Sequence, residues 1–460
     1  MRKIVIPREA LKRHQETLGK ALLDYLRRLA EGKPVTWEVK GKGVKQRDKT
    51  ISKAGTCVDF WKWVYERFQN EKVCIADPIV ILRFAKEYLA KFSALAGRSS
   101  KRPTKSQRAV VKVIEKLLDY DAFREGKVLA PCDDRGTIRW VKLPSQEPKK
   151  RKARYHANKE IFDAWRGWSL VEYVRLLDLR YCPYCNAETV GLVLRMNPKA
   201  ETRVAYSALD HILPRGTYPL LALSLYNLVP ACTRCNSQFK HEKDDFDIEH
   251  WDSSKPFNAL HPYAHNTHKW FRFVYRPSGV AELFLDPQTS HREPLSIERR
   301  IPLPGKCRTE TESFYDNRTE KYLTQYELPG CYYDLYSTEI NEILKMEMIC
   351  TPTFIETMKN TYHGMTDGDF DLIFRRASQN PQEINKHRFA KLIIDLHKQL
   401  GYDDLSWGGK RDELIARGKE LAGELTKAWE DAWDKRKDAI AEQFRKSSHY
   451  VHSQSKSNVS

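Results

Sequence analysis

The chain lacks any apolar run long enough to cross a bilayer. Its most leucine-rich stretch, Pro219 to Pro230, is broken by Asn227 and falls well short of the roughly 20 apolar residues that a membrane-spanning helix needs. No leader is expected either. MRKIVIPREA starts basic, but only three apolar residues, Ile4 to Ile6, precede Pro7 and Arg8, and a signal peptide needs a longer apolar segment. Both absences predict a cytoplasmic protein in a reducing compartment. Cysteine is sparse, ten in 460 residues, and in a long chain of that compartment a disulfide framework is excluded. No internal repeat is present, so no repeat array is expected. Acidic residues are outnumbered, 61 against 79 basic, leaving a net charge of +18. Such an excess reports an anionic partner, nucleic acid or an acidic membrane surface. What is present suffices for packed cores: 41% hydrophobic residues and 11% aromatics exclude disorder as the dominant state. The length predicts about two to four domains at roughly 100–200 residues each.

The first 120 residues read as helices. Pro7 stands where a first turn begins, and Leu11, Leu18, Leu22, Tyr25, Leu26 and Leu29 follow helical spacing up to Gly32. Asp77-Pro78 reads as an N-cap with proline in the first turn, its helix running from Ile79 to Leu95 and closed by Gly97. Thr104 to Tyr120 reads as another helix. Trp61, Trp63, Tyr65 and Phe68 form a dense aromatic cluster, read as helix packing in preference to base stacking. Residues 141–157 carry the basic cluster Lys149, Lys150, Arg151, Lys152 and Arg154 behind two prolines, and read as a basic linker. Lys159 to Trp165 is expected to be helical, and Ser169 to cap a helix ending near Leu179. Farther on, Phe271–Tyr275 and Ala281–Leu285 flank Pro277-Ser278-Gly279, a hairpin signal. Ser337 to Arg445 reads as helical, with Pro352 and Pro381 near helix starts. The expected organisation is an N-terminal helical domain (1–140), the linker (141–157), a central module (158–250), an α-rich domain with a β-hairpin (251–445) and a polar tail (446–460).

Chemistry concentrates between Tyr181 and Lys240. Cys182/Cys185 and Cys232/Cys235 form two C-x-x-C knuckles, and four thiolates in tetrahedral array suit structural zinc. The other six cysteines (Cys57, Cys74, Cys132, Cys307, Cys331, Cys350) stand singly and read as small buried residues. The 46 residues between the knuckles exceed a simple zinc ribbon. They hold Asp210 and His211 at the end of an expected strand, Arg203 to Leu209, and then Asn227. Thr233 to His241 has the composition of a short helix. Adjacent positions of an α-helix differ by about 100°, so Cys235 can face the zinc while Asn236 faces the other way, with Lys240 four residues on along Asn236's face. His241, His250, His261, His265 and His268 match no ligand spacing and are read as structural or surface residues.

The run C-P-Y-C, D-H-I-L-P-R, N-L-V-P and C-T-R-C-N-x-x-x-K resembles the zinc-stapled HNH, or ββα-metal, endonuclease motif over about 60 residues. The resemblance implies a mainly α fold around a central ββα-metal module, followed by a small β-hairpin element. It implies that Asp210 is a metal ligand, His211 the general base, Asn227 the residue that holds the loop and His211 in position, and Asn236 the helix-borne metal ligand where the name-giving motif has histidine. Asp210 and Asn236 offer the oxygen donors that a catalytic magnesium or manganese ion prefers. Neutral His211 can accept a proton near pH 7. The resemblance further implies products with 5′-phosphate and 3′-hydroxyl ends. Lys240 and Arg215 are candidate phosphate-holding groups. The substrate class is nucleic acid, with double-stranded DNA expected.

Two other readings stay open on sequence: a zinc-stapled module that binds nucleic acid without cutting, and a restriction or mobile-element endonuclease. A guide-RNA effector needs an acidic residue after the KIVI strand candidate, where Pro7 stands. The stand-alone arrangement is similar to HNH effectors of bacterial anti-phage systems of the Septu type, which implies an ATPase partner.

Overall fold

The computed structural model describes residues 2–400 apart from 41–44, 48–56, 96–103, 143–158, 160–162, 164, 167, 198–199, 206–207, 242, 244–245, 252–256, 258, 276–294, 300–309, 335–351, 363 and 375–379. The basic cluster Lys149 to Arg154, Gly97, the expected strand Ala281–Leu285 with its turn, and the chain beyond residue 400 lie outside the described residues. The fold is mainly helical, with short two- and three-stranded ladders.

The N-terminal helical region begins at Pro7, whose φ of −59° and ψ of 143° turn the chain into the helix Arg8–His14. A wider π turn, Gln15–Gly19, joins it to the helix Lys20–Ala30. Leu18, Leu22, Tyr25, Leu26 and Leu29 are all buried, as their spacing foretold, and this helix packs on Val58–Asn70. Trp61, Trp63 and Phe68 of the latter are buried too. Trp63 stacks on Phe84 of the helix Pro78–Phe92 with 5.0 Å between centroids, so the aromatic cluster is core. The carboxylate of Asp77 caps that helix by accepting from Ile79 N (2.8 Å) and Val80 N (3.1 Å). Thr104 and Gln107 form a reciprocal capping box at the start of Lys105–Leu117. Reading the first 120 residues as helices alone misses two strands. Thr36–Lys40 pairs antiparallel with Lys45–Arg47 and parallel with Thr137–Ile138. Its parallel partner lies about a hundred residues away, so local propensity gives no sign of it.

Ser169 caps the helix Leu170–Leu177 by accepting from Glu172 N, and Asp178 ends it in the left-handed region at φ 50°. Three ladders follow. Leu192–Asn197 pairs with Ala200–Ala205, and Ala208–His211 pairs with Leu228–Ala231. The single strand expected over Arg203–Leu209 is therefore the end of one strand and the start of another, each with its own partner. Phe271–Tyr275 pairs antiparallel with Leu295–Arg299, Phe271 opposite Arg299. The pairing with Ala281–Leu285 read from the sequence falls outside the described residues. The helix Ala390–Leu400 packs on this ladder, and the Asp395 carboxylate accepts from Phe273 N at 2.8 Å.

One hydrophobic cluster runs from Ile4 to Leu396. Pro352 opens the helix Pro352–Thr361, whereas Pro381 begins a 3-10 turn, Pro381–Lys386. That turn docks on the central region. Asn385 O accepts from Arg180 N and Tyr181 N, both at 3.1 Å, while Asn186, at φ 57°, donates to Ile384 O (2.7 Å) and His387 O (3.1 Å).

Candidate active site and metal centre

The sulfurs of Cys182, Cys185, Cys232 and Cys235 all lie within 4.8 Å of one another, and all four residues are buried. A tetrahedral zinc with Zn–S bonds of about 2.3 Å separates its sulfurs by about 3.8 Å. The 4.0 Å between Cys185 and Cys232 is close to that figure. Backbone amides also turn toward the sulfurs, Cys235 N to Cys232 Sγ (3.4 Å) and Cys232 N to Cys182 Sγ (3.5 Å). The donor set, its spacing and its burial fit a structural metal such as zinc. Two tyrosines of the helical region that follows cap the first knuckle's carbonyls: Tyr322 donates to Tyr184 O and Tyr332 to Cys185 O, each at 2.6 Å.

Asp210 and His211 end the strand Ala208–His211, and alternation along the strand sends them to opposite faces. His211 Nε2 stands 3.0 Å from Ala222 O. A carbonyl can only accept, so Nε2 carries the hydrogen and Nδ1 keeps the lone pair. The ring packs edge-on against Tyr120 at 4.7 Å. Desolvation pushes its pKa from 6.5 down to about 4, against the opposing pull of the Ala222 bond and of Asp210. At neutral pH His211 is an uncharged acceptor with a fixed tautomer.

The loop presenting Ala222 is held by Asn227. Its carbonyl accepts from Leu213 N (2.7 Å), and its amide donates to Leu221 O (3.0 Å) and Leu213 O (3.2 Å). Asn227 O also accepts from Ile212 N at 3.0 Å. One buried side chain thus ties both ends of the 212–227 loop together. The N-terminal helices hold the same loop from outside. His14 donates to Leu223 O (2.8 Å), the Ser224 hydroxyl donates to Val73 O (2.9 Å), and Leu225 N donates to Cys74 O (2.9 Å).

Asp210 is 1% exposed. Its Oδ2 accepts from the Tyr184 hydroxyl at 2.5 Å, and its Oδ1 accepts from Lys240 Nζ at 2.7 Å. Lys240, buried likewise, also donates to His211 O at 2.5 Å. Lys240, read from the sequence as a phosphate-holding group, is thus engaged inside the protein. The turn Arg234–Lys240 is π-wound, with His241 N bonded back to Asn236 O at 3.1 Å. Asn236 is half-buried, and among the described residues its carboxamide takes no hydrogen bond. A carboxylate has about four lone-pair sites, so Asp210 retains acceptor capacity beside its two donors. Asp210 and Asn236 each carry an oxygen of the kind a hard cation takes.

Arg215 is half exposed. It pairs with Asp121 at 3.5 Å and lies over the Tyr120 ring at 5.4 Å, placing a cation beside His211. Tyr120, more than ninety residues earlier in the chain, and Tyr184 were not singled out from the sequence. Only the position of Tyr184 inside the C-x-x-C knuckle offered a signal. Of the other histidines, His261 and His265 are packed together, with His265 Nδ1 accepting from His261 N at 2.8 Å and Arg318 within 3.0 Å of His265 Nε2. His250 is exposed and pairs with Asp247 at 2.9 Å. Among the described residues the four cysteines form the one group of three or more potential metal ligands. Cys74 is buried; Cys57 and Cys132 are half-buried. No described helix is long and apolar enough to cross a membrane. No family model matches the chain, and no curated protein or solved structure matches it.

Proposed function

We propose that the chain is an HNH-type endonuclease that hydrolyses phosphodiester bonds of DNA. The observation that carries this reading is the setting of His211: its Nε2 held 3.0 Å from Ala222 O, with Nδ1 left as acceptor. The lock depends on a loop stapled by Asn227, the part the HNH resemblance assigns to that residue. In the proposed reaction Nδ1 of His211 takes the proton of the attacking water. Asn227 acts through the loop, keeping the imidazole in orientation. Asp210 and Asn236 would hold magnesium or manganese, which when bound supplies charge neutralisation at the phosphate and the leaving 3′ oxygen. The net charge of +18 favours approach of a polyanion. An anti-phage effector working with an ATPase partner, or a restriction or mobile-element enzyme, is the biological setting that the sequence resemblance suggests.

A second reading, a zinc-stapled binding module that does not cut, draws on the burial of Asp210 and its engagement by Lys240 and Tyr184. Plasmid nicking separates the two. The nuclease reading expects magnesium- or manganese-dependent nicking that His211→Ala lowers by about 10²–10⁴-fold, with DNA binding retained. Binding without metal-dependent nicking, or equal nicking by His211→Ala, refutes it.

A further inference from the structure

The first 140 residues hold 32 basic side chains against 17 acidic, a net +15 within a chain total of +18. Several exposed cations of this region are answered by carboxylates, Lys12 by Glu16, Arg27 by Asp24 and Lys33 by Glu31. The helix Lys105–Leu117 departs from that pattern. Arg108, Lys112 and Lys116 stand four residues apart and so share one face, and all three are exposed. Among the described residues no carboxylate pairs with any of them, although Glu115 is exposed on the same helix. From Arg108 to Lys116 the axis advances about 12 Å, a length over which one strand of a duplex carries about three to four charges. The other face of the helix is engaged in the core. Val110, Val113, Ile114 and Leu117 are buried, and Ile114, Leu117 and Leu118 line one small cavity with Leu220 of the loop that fixes His211. The Trp140 indole holds the end of the helix by donating to Lys116 O at 2.9 Å. Four residues past Lys116 comes Tyr120, packed on the His211 ring at 4.7 Å. Arg124 and Arg215 both lie over Tyr120, at 6.0 and 5.4 Å, and share the Asp121 carboxylate at 3.3 and 3.5 Å. Two guanidiniums there face one carboxylate.

We propose that Arg108, Lys112 and Lys116 form a track for the phosphate backbone of double-stranded DNA, leading it to the two guanidiniums beside His211. The destination rests on the nuclease reading above; the contact itself is electrostatic and needs no cleavage. Phosphate contacts carry no base information, so the track serves any sequence. An acidic membrane fits the row less well. A helix lying on a bilayer sets its apolar face into the lipid, and the apolar face of this one is buried in the protein.

The test uses the full chain with its zinc, without added divalent ion, and two labelled duplexes of unrelated sequence. Affinity is followed by fluorescence anisotropy across a salt series. Wild type is compared with the row variant Arg108→Gln/Lys112→Gln/Lys116→Gln and with Lys12→Gln/Arg27→Gln/Lys33→Gln, which removes the same charge from paired surface sites. Each phosphate contact contributes about −0.9 to the slope of log affinity against log salt. The row variant is expected to flatten the slope by about 2.7 on both duplexes alike, so that between about 50 and 200 mM salt it loses about 40-fold less affinity than wild type. The control variant is expected to change the slope by less than one contact, about 0.9. Lys112→Gln alone is expected to flatten it by about 0.9, and carries the test should the triple variant fail to fold. In nicking with added magnesium, the row variant is expected to need more DNA for its half-maximal rate while keeping the saturated rate, since the row binds without reacting. An unchanged slope in the row variant, or an equal change in the control, would overturn the proposal. So would a wild type that binds vesicles of phosphatidylserine and phosphatidylcholine but neither duplex. A wild type that binds both duplexes, with the slope flattened in the row variant, yet never nicks, would bring down the nuclease reading and leave the track standing.

Discussion

His14 makes the pH dependence of stability calculable. It is fully buried, donates from Nε2 to Leu223 O at 2.8 Å, and lies 3.4 Å from the indole N–H of Trp168 through Nδ1. The neutral ring satisfies both contacts. A second proton, on Nδ1, would set two donors against each other. Burial accordingly lowers the pKa from 6.5 to about 4, although the bond to Leu223 acts in the opposite direction. Above pH 6.5 neither the folded nor the unfolded chain holds this proton, and His14 adds no pH dependence. From there down to about pH 4 the unfolded chain binds a proton that the fold refuses, so stability falls as pH falls. Below that both states hold it and the loss levels off. At about 1.4 kcal/mol per pH unit, the full loss is about 3 kcal/mol. The assay is urea unfolding followed by tryptophan fluorescence at several pH values, with His14→Gln as comparison because glutamine donates but does not titrate. His261 and His265 are also depressed by burial, so the difference between the two proteins is the informative quantity. The wild type should lose stability more steeply than the variant by about one proton between pH 6.5 and about 4. Equal slopes would refute the reasoning.

Cys235→Ser is expected to release the metal and lower solubility, because structural zinc binding is coupled to local folding; elemental analysis finding no zinc in the wild type, or finding iron, would contradict the assignment. Asn227→Ala leaves two buried backbone groups, Leu213 N and Leu213 O, without their partner, each costing about 1–3 kcal/mol, whereas Leu221 O keeps Ser224 N. A fall in melting temperature together with loss of nicking is the expected outcome, and an unshifted melting curve would argue against the staple.

Residues whose meaning lies in short spacing were readable from the sequence. The C-x-x-C pairs bring four sulfurs together because each knuckle is a local turn, and only one long closure is left to the fold. Caps such as Asp77 and Ser169 were readable for the same reason. The ion pair of Lys240 with Asp210 was not read because the two lie 30 residues apart, and nothing in RCNSQFK announces a buried partner or the wider π winding. The pairing of Phe271–Tyr275 with Leu295–Arg299 went unread because a nearer apolar run with a turn signal drew the reading to itself. Tyr120 and His14 lay beyond reach altogether. Their roles arise from segments that meet only in the folded chain, and a tyrosine or histidine on a helix carries no mark of what will later sit against it.

The anchoring of the 212–227 loop by Val73, Cys74 and His14 has a kinetic consequence. These hydrogen bonds close chain segments of 151 and 209 residues, from Ser224 to Val73 and from Leu223 to His14. Contacts so distant in sequence form late, since their closure entropy must be met before they contribute. Ribosomal synthesis releases the N-terminal helices first, so the scaffold exists before the loop emerges. A nascent or partly folded chain therefore carries the four cysteines but lacks a fixed imidazole. On the proposed nuclease reading, its proton acceptor is oriented only with completion of the fold. The central region expressed alone would bind metal while leaving the carbonyl acceptor of His211 on a loop without its outer supports.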